Sequence, residues 1–150
     1  MRIFIDADAC PVKEETLKVA ERYQIPVSIV SNGGMRPFRD PLVTTVVVAA
    51  GADVADDWIA DETQSGDVVV TADIPLAARI LEKHAYPLGP TGRLFTAESI
   101  GMALAMRQLK QDVREATQTQ TRNRSFQAKD RSNFLQALDR LVVKDRNNKT

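Results

Sequence analysis

Apolar and polar positions alternate along this chain in blocks, and the block lengths predict its elements. Ile3–Ile5 is a short β-type apolar run that stops at Asp6. Pro11 fits the first position of a helix, with Glu14 and Glu15 in the first turn, where the helix dipole favours anions. Val12, Thr16, Val19, Ala20 and Tyr23 recur at the spacing of one helix face, and Pro26 closes that segment. Val27–Val30 predicts a second strand, ended by the turn signal Ser31-Asn32-Gly33-Gly34. Met35–Leu42, with two prolines and two arginines, predicts loop. Val43–Val48 reads as a continuous apolar run, as in a strand covered on both faces. Gly51 breaks it, Asp53 fits an N-cap, and Val54–Thr63 predicts a short helix. Gly66-Asp67 turns into a fourth strand, Val68–Thr71. Asp73 then caps a helix opened by Pro75 and running to about Lys83.

The pattern loosens in the last third. Tyr86–Gly92 holds two prolines and two glycines and reads as loop, with room for one short strand. Thr96 fits the cap of a helix running to about Gln111. Residues 117–128, rich in Thr, Gln, Arg and Asn, lack periodicity and read as a linker. Ser132–Val143 is amphipathic, with Phe134, Ala137, Leu138, Leu141 and Val142 on one side, and Asp145–Thr150 reads as a frayed end. Strands alternating with helices predict an α/β domain with a mainly parallel central sheet and helices on both faces. Residues 1–111 form the expected body, and residues 112–150 a basic loop and C-terminal helix packing on that same body.

Composition narrows the class. The chain has 150 residues, 43% hydrophobic and 27% charged, ordinary globular values that exclude disorder and fibrous structure. One Cys and one His can build neither an internal disulfide nor a zinc site. No apolar run nears the roughly 18 residues of a membrane span. The N-terminus turns acidic too soon for a signal peptide, so a soluble, cytoplasmic protein is expected, without membrane or disulfide-linked partners. The net charge is zero but uneven. Residues 1–106 carry 9 Lys/Arg against 15 Asp/Glu, while residues 107–150 carry 11 against 5. The body is suited to cations and the tail to polyanions, unless the tail is a solvated basic helix packed on an acidic body.

The acids concentrate where chemistry is expected. In open α/β sheets, ligands bind beyond the carboxyl ends of the strands. Strand one ends in Asp6-Ala7-Asp8, strand two in Ser31-Asn32, strand three runs into Asp53, Asp56 and Asp57, and strand four ends in Thr71-Ala72-Asp73. A parallel sheet gathers them on one rim. Like charges 4 Å apart cost about 4 kcal/mol at an effective dielectric of 20, so such a cluster calls for a hard cation or for protons. Mg²⁺ or Mn²⁺ prefers these oxygen ligands, and phosphodiester hydrolysis is the reaction class it serves most naturally. The competing reading is local: Asp6 and Asp8 serving the helix near Pro11, Asp53 and Asp73 as caps, Asp56 and Asp57 as a solvated face.

Other residues carry weaker signals. Arg36 and Arg39 flank Pro37-Phe38 beside the rim and suit phosphate contact, or a solvated loop. Asn32 can orient a phosphate or simply serve the turn. Arg122, Arg124, Lys129 and Arg131, with Phe126 among them, suit single-stranded nucleic acid. Cys10 and His84 read as structural, and Trp58 as packing behind the rim.

Three stretches carry a resemblance. Ile5-Asp6-Ala7-Asp8-Ala9-Cys10-Pro11-Val12-Lys13, Asp53-Val54-Ala55-Asp56-Asp57-Trp58-Ile59, and Gly66 through Ala77 resemble the signatures of the YaiI/YqxD family of bacterial proteins. Lys129-Asp130-Arg131 with Phe134 and Leu138-Asp139 also fits, so the resemblance spans nearly the whole chain. That family is in turn similar to PIN-like nucleases, so the resemblance implies a PIN-like three-layer sandwich with a mainly parallel central sheet, to which this chain is expected to add a C-terminal helical extension. Asp6 matches their first-strand aspartate, Asp56-Asp57-Trp58-Ile59 their Asp-x-x-Ile helix motif, and Thr71-Ala72-Asp73 their Thr-x-Asp. The resemblance implies a Mg²⁺- or Mn²⁺-dependent ribonuclease with Asp6, Asp56 and Asp73 as catalytic ligands and Asp8 and Asp57 as further metal residues. PIN nucleases add an acidic residue between the first two motifs. Only Glu14, Glu15, Glu21 and Asp40 lie there, none in an obvious match, so Asp8 or Asp57 would have to replace it.

Two rival readings remain. A metal-stabilised module could bind RNA or a protein without cleaving. A haloacid-dehalogenase-like phosphatase resembles Asp6-Ala7-Asp8, but needs a lysine that the stretch from Ser31 to Gly66 lacks, leaving Arg36 or Arg39 to substitute.

Overall fold

The computed structural model describes residues 1–7, 11–32, 41–49, 53–102, 105–106 and 127–148, with side chains described as far as 146. Five strands, β1 (Ile3–Asp6), β2 (Val27–Ser31), β3 (Val43–Val47), β4 (Val68–Val70) and β5 (Tyr86–Leu88), form one sheet in the order β3-β2-β1-β4-β5. Every pairing between them is parallel; Ile3 aligns with Val27 on one side and with Val68 on the other. The sheet reverses its order at β1, so the crevice between β1 and its neighbours opens at the C-terminal rim.

Side-chain alternation divides the core into two layers. Ile3, Ile5, Val27, Ile29, Val68 and Val70 face helix α1 (Lys13–Tyr23) and the C-terminal helix α4 (Ala128–Asn148), meeting Val19, Phe134 and Leu138. Phe4, Val30 and Val69 face α2 (Val54–Glu62) and α3 (Ile74–Glu82), meeting Ile59, Leu76 and Ile80. Residues 97–102 and 105–106 are also helical, and Ile100 packs with Phe95 on Ala77 of α3. Thr96 and Ser99 cap that segment reciprocally, as the sequence predicts; its expected end near Gln111 lies outside the described residues.

Several boundaries move, each for a physical reason. Pro11 is not the first helical residue: Val12 is the N-cap of α1, and the Pro11 carbonyl instead accepts a bond from Arg131. β3 is not covered on both faces. It is the edge of the sheet, Thr44 and Thr45 interrupt its apolar run, and Val47 is 64% exposed. Pro87 lies inside β5, which is tolerated because that strand is the opposite edge. α4 is longer than Ser132–Val143 at both ends. The Asp130 carboxylate accepts from the Gln127 N–H while the Gln127 carbonyl accepts from the Asp130 N–H, starting the helix earlier. The expected fraying from Asp145 is displaced too, because residues to 148 are helical and Asp145 is buried.

Candidate functional site

β1 delivers Asp6 to the C-terminal rim, where only 7% of it is exposed. β2 ends beside it in buried Ser31, followed by exposed Asn32 at a bend. β4 runs out into Thr71, fully buried, whose Oγ1 accepts the Asp73 N–H at 3.0 Å. Asp73 then caps α3, its Oδ1 accepting from the Leu76 N–H at 2.9 Å. Two local bonds thus fix the Asp73 backbone and one carboxylate oxygen. Asp56 comes from the first turn of α2 and is half-buried.

These carboxyls share one electrostatic site. Asp56 is pushed up to about 6, first by burial and then by the charges of Asp73, Asp6 and Asp53 in that order, with Arg79 opposing them. Asp53 holds the N-cap position of α2 but makes no side-chain cap bond, so its charge stays with the cluster. In the sequence Asp53 reads as a cap, outside the set of expected ligands. Arg79 carries no functional signal in the sequence. That arginine pairs with Asp57 at 2.8 Å, 22 residues away, and no local pattern announces such a partner. Asp57 thus forms an exposed ion pair that links α2 to α3. Asp8, Arg36, Arg39, Arg122 and Arg124 lie outside the described residues.

The helices offset part of the accumulated charge. α1, α2 and α3 each follow a strand of a parallel sheet, so each begins at the rim. α4 begins there as well: Arg131, near its start, meets Pro11 and Glu15, while Asp139, two turns on, meets Arg22 and Tyr23 near the end of α1. Each helix start carries roughly half a positive charge, which favours ionised carboxyls in its first turn.

The C-terminal basic residues divide. Lys129 is exposed near the start of α4. Arg131 is engaged, donating to Pro11 O at 2.9 Å and to Glu15 Oε1 at 3.1 Å. Phe134 and Leu138 are fully buried, and Asp139 accepts the Tyr23 hydroxyl at 2.7 Å. That bond raises the Tyr23 pKa above its ordinary value. The motif Lys129-Asp130-Arg131, Phe134, Leu138-Asp139 therefore caps α4 and docks it on α1. Of the remaining candidates, Trp58 packs edge-on against Phe4 at 6.0 Å behind the rim, as expected. His84 is exposed in a left-handed turn after α3. Cys10 lies outside the described residues.

The acidic groups at this rim offer carboxylate oxygens, and Asp56 is held partly protonated first by burial and then by its neighbours' charge. Among the described residues, no three Asp, Glu, His or Cys side chains stand close enough to hold a metal ion together.

Residues 4–144 match the family described as uncharacterized BCR, YaiI/YqxD family. A UPF0178 protein of Mesorhizobium japonicum is 60% identical over 140 residues, covering 93% of this chain and 90% of the relative. One from Parvibaculum lavamentivorans is 58% identical over 140 residues (93% and 92%), and one from Rhizobium meliloti 54% over 139 residues (93% and 95%). No solved structure matches the chain. No helix among the described residues is long and apolar enough to cross a membrane. The chain belongs to the YaiI/YqxD family.

Proposed function

We propose that this YaiI/YqxD family member is a Mg²⁺- or Mn²⁺-dependent phosphodiesterase acting on RNA in the cytoplasm, built on a PIN-like body with a basic C-terminal extension. The observation that carries this reading is the coupling of Asp56 to Asp73 and Asp6, three carboxyls brought by three different elements to one rim. Asp6, Asp56 and Asp73 are the proposed ligands, with Asp8 two residues beyond Asp6. A divalent cation there would supply counter-charge for phosphoryl oxygens and make a water more acidic.

The chain's own groups would do the rest. Asp73, fixed through Thr71 and Leu76, presents its second oxygen in a set position. Asp56, whose pKa is raised to about 6 by burial and by the neighbouring carboxyls, gains most from a cation that would offset their charge. Asp57 holds Arg79 beside the cluster and acts through it as a positioning residue. Arg36, Arg39, Arg122, Arg124 and Lys129 are the proposed phosphate contacts, with Asn32 at the mouth of the crevice. Arg131 is committed to Glu15 and Pro11, so it serves the extension's docking.

The test is cleavage of a panel of single-stranded RNAs with Mn²⁺, wild type against Asp73→Asn. Asn caps a helix as well as Asp does, so the variant should melt like the wild type. Turnover should fall by roughly 100-fold or more. Equal turnover in a folded variant overturns the mechanism.

A second reading has one observation in its favour. The described carboxyls do not by themselves close a three-ligand site. On that reading the rim binds a cation to stabilise an RNA- or protein-binding module. Metal binding without turnover on any RNA of the panel would favour it.

A further inference from the structure

The two edges of the sheet are treated differently. On β5, Tyr86 N–H and the Leu88 carbonyl turn toward β4, so Pro87 faces outward. Proline has no N–H to offer, and its carbonyl already accepts from Phe95 N–H at 2.9 Å. An antiparallel bridge between Leu88 and Leu94 covers the same edge. The chain has closed that side itself.

β3 has no such cover among the described residues. Val48 N–H donates to Ser31 O, and Leu42 O accepts from Val27 N–H, so the even-numbered residues of the strand turn toward β2. By the parity of a parallel ladder, the N–H and C=O groups of Val43, Thr45 and Val47 point outward. Natural edges are blunted by charge, proline or a bulge, and Val43-Thr44-Thr45-Val46-Val47 has no charge and no proline. Val47 is 64% exposed, and Thr45 Oγ1 is buried without a hydrogen-bond partner.

We propose that β3 pairs antiparallel with β3 of a second copy of this chain, across a two-fold axis at Thr45. The strand is its own complement in that arrangement. Thr45 meets the partner's Thr45, and Val43 meets the partner's Val47, each pair exchanging two backbone N–H···O bonds. No like charges face each other, because the strand has none. The orphan Thr45 hydroxyl gains a neighbour of its own kind through a change of χ1, a cross-strand pairing that threonines favour. The contact is isologous and closes at two copies. A five-residue edge buries less than the about 800 Å² per partner of a standard stable interface, so the dimer is reversible and concentration-dependent.

Sedimentation equilibrium of the full chain over a wide concentration range tests this. Wild type should pass from monomer to dimer. Thr45→Pro removes one outward N–H without touching the ladder to β2, and Val47→Pro does the same at a more exposed position. Each should weaken association by at least roughly tenfold, as expected for loss of about 1.4 kcal/mol or more of hydrogen bonding. If Thr45→Pro fails to fold, Val47→Pro carries the test alone. A wild type that stays monomeric throughout, or association unchanged in folded Val47→Pro, overturns the proposal.

Discussion

Asp56 shows how one residue's surroundings set its chemistry. Its folded pKa, about 6, lies above the ordinary 3.8. A carboxyl whose pKa is raised on folding binds its proton more tightly in the native state. Stability therefore falls as pH rises from about 4 through about 6, and the penalty is complete above that window. Allowing for solvent at this half-buried site, the cost at pH 7 is about 1 kcal/mol. Asp56→Asn should flatten that part of the pH–stability curve and raise the melting temperature at pH 7 by a few degrees. Thermal melts of both proteins between pH 4 and 8, without metal, check it; parallel curves would mean that folding does not raise the Asp56 pKa. The same scale marks where sequence reading stops. The rim positions of Asp6 and Asp73 were legible because Asp6 closes one apolar run and Asp73 closely follows another. Asp57 and Arg131 were not, because their roles are set by Arg79 and by Glu15, 22 and 116 residues away.

At the scale of elements, α4 is where local and long-range signals part. Its apolar stripe is visible as Phe134, Leu138, Leu141 and Val142, and all are buried against the sheet and α1. Its ends were hidden because polar turns carry no periodicity, and Gln127 with Asp130 caps the helix by bonds that composition does not reveal. Phe134→Ala should cost about 3–5 kcal/mol, because a fully buried ring leaves a cavity. That corresponds to a drop of about 10 °C in melting temperature for a chain of this size. A loss below 1 kcal/mol in a urea melt would mean that α4 is not docked as described. The strands teach a similar lesson. β1, β2 and β4 read directly from their apolar runs, whereas β5 was obscured by Pro87 and β3 was mistaken for an interior strand. Propensity reports a residue's fitness for a sheet, and only strand order says whether it lies at the edge.

For the whole molecule, topology does what no single motif could. A parallel sheet with its order reversed at β1 brings the end of β1 and the cap of α3, Asp6 and Asp73, 67 residues apart in sequence, into one electrostatic site. The helices that cover the sheet begin at that rim and supply positive dipole ends beneath the acids. The fold class was legible in the alternation of strand and helix blocks. The convergence of Asp6, Asp53, Asp56 and Asp73 was legible only as a consequence of that class, and Arg79 not at all.

Calorimetric titration of Mn²⁺ into the wild type, Asp6→Asn and Asp57→Asn asks directly whether the rim holds a metal ion. Saturable binding is expected of the wild type, with loss in Asp6→Asn and retention in Asp57→Asn, whose carboxyl pairs with Arg79. No binding by the wild type at millimolar Mn²⁺, or binding undiminished in Asp6→Asn, would contradict a metal site there and leave the rim carboxyls as caps and solvated surface.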